Sequence, residues 1–270
     1  MPTTDRLFAG SIPETYDRFL VPLIFEAYAL DLAERIARAN PSDVLETAAG
    51  TGVLTRAMAS KLPAHVRVVA TDLNQPMLDY AAARQPRDER IVWRQADALA
   101  LPFEDRAFDI VTCQFGVMFF PDKVQGYREA HRTLRPGGRF LFNVWDRISD
   151  NVFAEVVTEA LAKVFPHDPP SFMARTPHGY HDIGKVREEL TAAGFASISE
   201  ETVDSKSRAG SPRDVAIAYC QGTPLSNEIL ARDPSGLERA TQVAEEALAR
   251  RFGTGPVEGP IRAHVFTATP

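Results

Sequence analysis

Asp43-Val44-Leu45-Glu46-Thr47-Ala48-Ala49-Gly50-Thr51-Gly52 begins as a short apolar strand, reaches an acid, and ends in a glycine turn. The next strand, Arg67 to Thr71, is β-branched and stops at Asp72, and a third, Ile91 to Arg94, ends near Asp97. Between the first two, Leu54, Ala57, Met58 and Leu62 fall on one face of a helix, and Gln75–Arg84 reads as the helix after the second. Phe108 to Gln114 is a fourth strand, followed by a helix capped by Asp122 that runs to Leu134. The tight turn Arg135-Pro136-Gly137-Gly138 then leads into a fifth strand, Arg139 to Val144. Strands apolar on both faces, alternating with helices, predict an α/β fold: a doubly wound, mostly parallel sheet with helices on either side.

Working outward, Pro22 to Ala39 reads as a helix with Leu23, Ala27 and Leu30 on one face, ended by Asn40-Pro41. Beyond Trp145 a helix through Phe153–Val164 leads into a loop rich in proline and histidine, Pro166 to His181. Asp182 caps a further helix that Gly194 terminates, and a strand near Ala196–Thr202 follows. Ser211 to Phe252 reads as helical, in pieces broken at Pro224 and Pro234, and a last strand lies near Ile261–Ala268.

A chain of 270 residues with 24% charged side chains and a formal net charge of −6 has no electrostatic footprint for a phosphate backbone, so nucleic-acid binding is not expected. Cys113 and Cys220 stand far apart with no His or Cys at ligand spacing, which predicts reduced thiols in a cytoplasmic protein and no metal site. Met1 to Gly10 lacks a basic segment followed by an apolar run, so no signal peptide is expected. The most apolar stretch, Phe19 to Ala33, carries Glu26 and Asp31 and is too short for membrane insertion.

In such a sheet, ligands bind outside the carboxyl ends of the strands, where strand order reverses. Gly50-Thr51-Gly52-Val53-Leu54-Thr55 is a dinucleotide fingerprint with Thr55 in place of its third glycine, and Asp72 stands where an acid would meet ribose. Glu46 weighs against a pyrophosphate there. A carboxylate just before the turn favours a ligand bearing ammonium or sulfonium charge, and S-adenosylmethionine (SAM) carries both, with a ribose diol and an adenine amine.

At this point the chain resembles the class I SAM-dependent methyltransferases, in particular the small-molecule branch with the quinone-biosynthesis C-methyltransferases. Five stretches carry the likeness: Val44 to Gly52, Val69 to Leu73, Gln95 to Phe103, Phe108 to Val111, and Leu134 to Gly138. The resemblance implies a single methyltransferase domain over residues 1–270 with a seven-stranded Rossmann-like sheet whose last strand is antiparallel. Within it, 1–40 is an N-terminal helical cap, 41–145 the SAM-binding core, 146–181 a lid or substrate region, and 211–259 a helical insertion between the last two strands. That insertion either covers substrate or forms a homodimer face.

By the same resemblance, Asp72 takes the ribose hydroxyls, Leu73 and Met77 pack on the adenine, and Asp97, beside Ala98, accepts from its amine. The turn Gly50, Thr51 and Gly52 lies against the methionine portion with Glu46 and Ala48, and main chain near Gln114 and Phe115 accepts from the ammonium. Ala48 replaces the family's usual first glycine, which is tolerable if its φ is negative. Tyr16 precedes the first long helix, where related enzymes fold a segment over the cofactor.

Cys113-Gln114-Phe115-Gly116 lacks the Asn/Asp-Pro-Pro-aromatic device that holds amines on nucleic acids and proteins. The run Phe115, Val117, Met118, Phe119 and Phe120 predicts a greasy cleft floor suited to an aromatic or aliphatic small acceptor. Methyl transfer by in-line displacement needs mainly alignment. Where a base is required, His178, Tyr180 and His181 in the lid loop are the candidates. A SAM-binding sensor or partner subunit, and an NAD(P)-linked oxidoreductase, are the alternative readings.

Overall fold

The strand order of the sheet, β3-β2-β1-β4-β5-β7-β6, puts the reversal of winding between β1 and β4, and that point positions the site. The structure is a computed structural model and describes residue 5 and residues 12–270. Residues 1–4 and 6–11, which carry part of the expected N-terminal cap and most of the segment read for a signal peptide, lie outside the described residues.

A short helix α1 (Ile12–Thr15) leads into a π-helix (Tyr16–Phe25) and then α2 (Glu26–Arg38), so the helix expected from Pro22 begins earlier and is wound in two ways. The alternating unit follows: β1 (Asp43–Glu46), α3 (Val53–Lys61), β2 (Arg67–Asp72), α4 (Gln75–Arg84), β3 (Ile91–Gln95), β4 (Phe108–Gln114), α5 (Lys123–Thr133) and β5 (Leu134–Trp145). These five strands pair in parallel. Asp122 caps α5 by accepting from the Gln125 N–H, as its sequence position implies.

The remainder is α6 (Val152–Val164), α7 (Phe172–Arg175), α8 (Ile183–Ala192), β6 (Ser197–Ala209), α9 (Pro212–Gln221), α10 (Leu225–Arg232), α11 (Leu237–Phe252) and β7 (Val257–Thr269). β7 runs antiparallel to both β5 and β6, completing the seven-stranded sheet of the expected α/β class. Both closing strands are longer than their sequence patterns suggested. They pair with each other from Ser197↔Thr269 to Ala209↔Val257, and along β6 exposed and half-buried residues alternate with little apolar signal to read.

Two apolar layers sandwich the sheet. One packs α2 and α3 on it through Leu32, Ile36, Leu54 and Met58, and the other carries the π-helix, α5, α6 and α8 to α11. At the amino edge, Arg135 bridges Asp43 and Asp109 at 2.9 and 2.8 Å, tying β1, β4 and β5 at the end opposite the glycine turn. At the carboxyl edge, the backbone after β4 presses on the turn after β1. A Cβ on Gly116 would lie 2.4 Å from the Ala48 Cβ and 2.6 Å from Cys113 Sγ. Gly116→Ala is therefore expected to lower stability by about 2 kcal/mol, the overpacking range, measurable as a lower denaturation midpoint at unchanged slope.

Candidate active site

β1 ends against the turn that the sequence singled out. Gly50 and Gly52 have φ +57° and +81°, conformations that glycine adopts without strain, and Ala48 is also left-handed at +53°. The condition of negative φ under which an alanine there would be unstrained is thus not met. Its methyl is accommodated because its neighbour across the loop is Gly116, and the left-handed backbone costs about 1–2 kcal/mol. Asp72, at the end of β2, holds the turn: one oxygen accepts from the Gly50 N–H at 2.9 Å, and the other accepts from the Asn74 N–H at 2.8 Å. Burial raises the Asp72 pKa above its usual value, against the pull of these N–H groups.

Above the turn lies a cleft of about 740 Å³. It is lined by Tyr16, Ala48, Gly50, Asp72, Leu73, Met77, Asp97, Ala98, Gln114 and Phe115 from the expected set. Leu73 is 42% exposed although apolar, and Met77 is buried beside it, so this end of the cleft offers a greasy surface next to an acid. Asp97 is exposed and accepts from the Leu99 N–H at 2.9 Å. Gln114 donates to the Phe25 carbonyl at 2.9 Å, while its Oε1 is buried without a hydrogen-bond partner among the described residues. An unpartnered acceptor in a ligand-sized cleft fits a group with an N–H or ammonium to donate. Tyr16 is placed over the cleft by its neighbour Asp17, which is buried and paired with Arg56 of α3 at 3.0 Å and Arg84 of α4 at 2.9 Å.

Three members of the set do not line the cleft. Thr51 is buried, and its carbonyl accepts from Arg56 at 2.6 Å. Gly52 turns toward Trp93, whose ring would meet a Cβ at 2.8 Å. Glu46 is 1% exposed and accepts from the Thr55 hydroxyl at 2.6 Å, and burial pushes its pKa up to about 8. The reading of Glu46 as an anion facing the ligand is corrected: it sits behind the turn, outside the cleft lining, where burial favours its protonated form, and the acids at the rim are Asp72 and Asp97.

The lid-loop bases are corrected too. His178 is buried, with Nδ1 2.9 Å from the Asp146 carbonyl, and burial lowers its pKa to about 4. His181 Nδ1 lies 2.8 Å from the His178 carbonyl, and the residue lines a separate polar hollow with Asp146 and Arg262. The Tyr180 hydroxyl donates to Glu189 and stands 3.0 Å from the Tyr127 hydroxyl, and burial drives its pKa far upward. None of the three lines the cleft or the chamber beside it; His178 and Tyr180 instead tie the loop to Asp146, to Tyr127 of α5 and to Glu189 of α8.

That chamber, about 440 Å³, shares Tyr16, Phe115 and Phe119 with the cleft. Its further walls include Leu20, Phe25, Met118, Trp145, Phe172 and Tyr219. Phe115 is left-handed at φ +51° and stacks on Trp145 with ring centroids 3.8 Å apart. Sequence reading found the apolar run but missed Trp145, Phe172 and Tyr219, which reach the chamber from three separate elements.

Comparison with known proteins decides what this cleft belongs to. Residues 45–142 match the methyltransferase domain family. A demethylmenaquinone methyltransferase of Lactiplantibacillus plantarum is 38% identical over 169 residues, 62% of this chain and 69% of that protein. The chain belongs to the class I SAM-dependent methyltransferases. A ubiquinone/menaquinone biosynthesis C-methyltransferase UbiE of Idiomarina loihiensis is 30% identical, across 59% of this chain and 68% of its own. Among solved structures, YcgJ from Bacillus subtilis shares the fold with a TM-score of 0.58 at 20% identity, covering 90% of this chain and 97% of that one. Phosphoethanolamine N-methyltransferase 2 from Haemonchus contortus does so with a TM-score of 0.59 at 16% identity, covering 96% and 56%. As a methyltransferase of this class, the protein uses SAM to methylate a small molecule, and the buried acid, apolar shelf and unpartnered acceptor of the cleft fit that cofactor.

Glu46 gives a pH signature. Unfolded, it ionises in the ordinary carboxylate range; folded, it ionises near 8, so between these values the folded protein holds the extra proton and stability falls as pH rises. Against Glu46→Gln, the wild type should lose up to about 1.4 kcal/mol per pH unit between about pH 5 and 8 in urea melts. A stability difference independent of pH would show that Glu46 is ionised in the fold.

Proposed function

We propose that the methyl acceptor is a small, uncharged, aromatic or otherwise apolar molecule seated in the chamber beside Phe115, in line with SAM in the neighbouring cleft. The observation that carries this reading is the chamber lining. Among the described residues, apart from the hydroxyls of Tyr16, Tyr219 and Thr223 and the indole N–H of Trp145, it presents hydrocarbon, aromatic rings and Met sulfur, with no carboxylate, amine or imidazole. Charge brought there would lose its hydration without a partner. The quinone-related names of the curated relatives support an aromatic acceptor as well.

When bound, SAM supplies a methyl carbon on a sulfonium. The roles proposed for the chain's residues follow from chemistry and place: Asp72 for the ribose diol, Leu73 and Met77 for the adenine faces, Asp97 and Ala98 for the adenine edge. The Gly50 turn with Ala48, and Gln114, would hold the methionine end. Tyr16 would close over both ligands; burial holds its phenol well above the usual range, so it stays protonated. With no base lining the chamber among the described residues, alignment and exclusion of water are what the protein contributes.

The segment around Tyr16 would act as a cap, and α9 to α11, standing between β6 and β7, as a cover over acceptor; Tyr219, Thr223 and Pro224 in the chamber wall support that over a dimer face. No nucleic-acid partner is proposed, in keeping with the net charge of −6. Among the described residues no helix is long and apolar enough to cross a membrane, and both cysteines are free and buried, which supports a reducing, cytoplasmic setting.

A labelled-methyl screen across hydroxylated naphthalenes, phenols, aliphatic amines and carboxylates tests the acceptor: transfer should appear with neutral ring compounds, and exclusive transfer to charged amines or acids would sink the assignment. Asp72→Ala should weaken SAM binding more than tenfold, about 1.4 kcal/mol or greater, by titration calorimetry. Unchanged affinity would remove Asp72 from the cofactor site.

A further inference from the structure

Asn143 interrupts the apolar run Phe140-Leu141-Phe142-Asn143-Val144-Trp145 of β5, a central strand between β4 and β7. It is fully buried and pairs in register with Gln114 on one side and Val265 on the other. Its Oδ1 accepts from the Phe115 N–H at 2.9 Å, while its Nδ2 has no hydrogen-bond partner among the described residues. A buried amide that leaves a donor unsatisfied is a poor stabiliser compared with a leucine of similar size. What the amide does accomplish is local. Phe115 is the first residue past β4 and is left-handed, and Asn143 supplies the acceptor for its N–H.

Phe115 is also one of three residues common to the cofactor cleft and the apolar chamber, and its ring lies flat on Trp145, with an interplanar angle of 9°. Asn143 itself lines neither cavity. We propose that Asn143 is a positioning residue: by holding the Phe115 amide it fixes the Phe115 ring as the wall between the two cavities, and so sets where an acceptor ring lies against the cofactor. The proposal rests on the reading of the chamber as the acceptor site.

Positioning and simple structural support give opposite patterns in two variants. Asn143→Leu removes both the acceptor oxygen and the unsatisfied donor; Asn143→Asp keeps an acceptor oxygen but buries an ionisable group. The chain has two tryptophans, so in a Trp93→Phe background the near-ultraviolet circular dichroism of Trp145 reports on its stack with Phe115. The binding probe is N-phenyl-1-naphthylamine, an uncharged fluorescent ring compound, with S-adenosylhomocysteine titrated separately.

The leucine variant leaves the Phe115 N–H without its acceptor but buries no ionisable group, so it should melt above the aspartate variant, yet bind the naphthylamine at least tenfold more weakly and lose the Trp145 band. The aspartate variant should melt lower and bind within about threefold of the parent. The assignment is overturned if affinity follows melting temperature in both variants, if the leucine variant binds as the parent does, or if the parent takes up no naphthylamine. A parent that binds naphthylamine but not S-adenosylhomocysteine would count against the cofactor reading alone, because the comparison of the two Asn143 variants does not depend on it.

Discussion

The carboxyl edge of this sheet depends on one crowded crossing of backbone. The chain leaving β1 must reverse within the width of a strand, and the chain leaving β4 passes directly over that reversal at Gly116. Left-handed geometry at Ala48, Gly50 and Gly52 makes the turn, and left-handed geometry at Phe115 lets the second chain clear it. Hydrogen bonds from outside the two loops hold these conformations: Asp72 from β2 takes the Gly50 amide and Asn143 from β5 takes the Phe115 amide. The cleft is the space left over by that arrangement.

Electrostatics at the site follow from burial more than from the number of acids. Glu46, Asp72 and Asp97 recur at strand ends, but they meet three environments. Glu46 is enclosed behind the turn and protonated near neutrality, Asp72 is buried yet fed by backbone N–H groups, and Asp97 is open to solvent. The acids that face the cleft are therefore fewer than the sequence suggests: Asp72 and Asp97. A hydrogen-bonded, partly desolvated carboxylate selects by geometry as much as by sign.

The apolar chamber beside the cleft is built on different terms. It is assembled from the π-helix, the segment after β4, the end of β5, α7 and α9, and Asp5 holds this region from the N-terminal side through Arg175 at 2.8 Å and the Thr176 hydroxyl at 2.6 Å. With Asp17 bridging Arg56 and Arg84, buried acids pin the N-terminal segment to both halves of the site. The carboxylates of these pairs are buried while their guanidinium partners stay partly exposed, so the pairs position elements even where they add little net stability.

The fold and the cofactor edge were legible in the sequence because both are local. Alternating apolar strands, helix faces, the Asp122 cap and the glycine turn each declare themselves within about ten residues, and their order dictates a parallel sheet with its switch point beside the turn. Ten of the thirteen residues expected around the cofactor line one cleft, since they follow strand ends that the sheet brings to one edge. Tertiary structure alone decided the rest. Glu46 and His178 have side chains suited to charge and base chemistry, but burial and partners far away in sequence, or behind a turn, set their protonation. The signal for Asn143 was present as a lone polar residue in an apolar strand, but its meaning lay in Phe115, just past the end of the neighbouring strand. Sequence fixes what each side chain can do; which of them meet water, ligand or one another depends on the packing of distant segments, and that is not written locally.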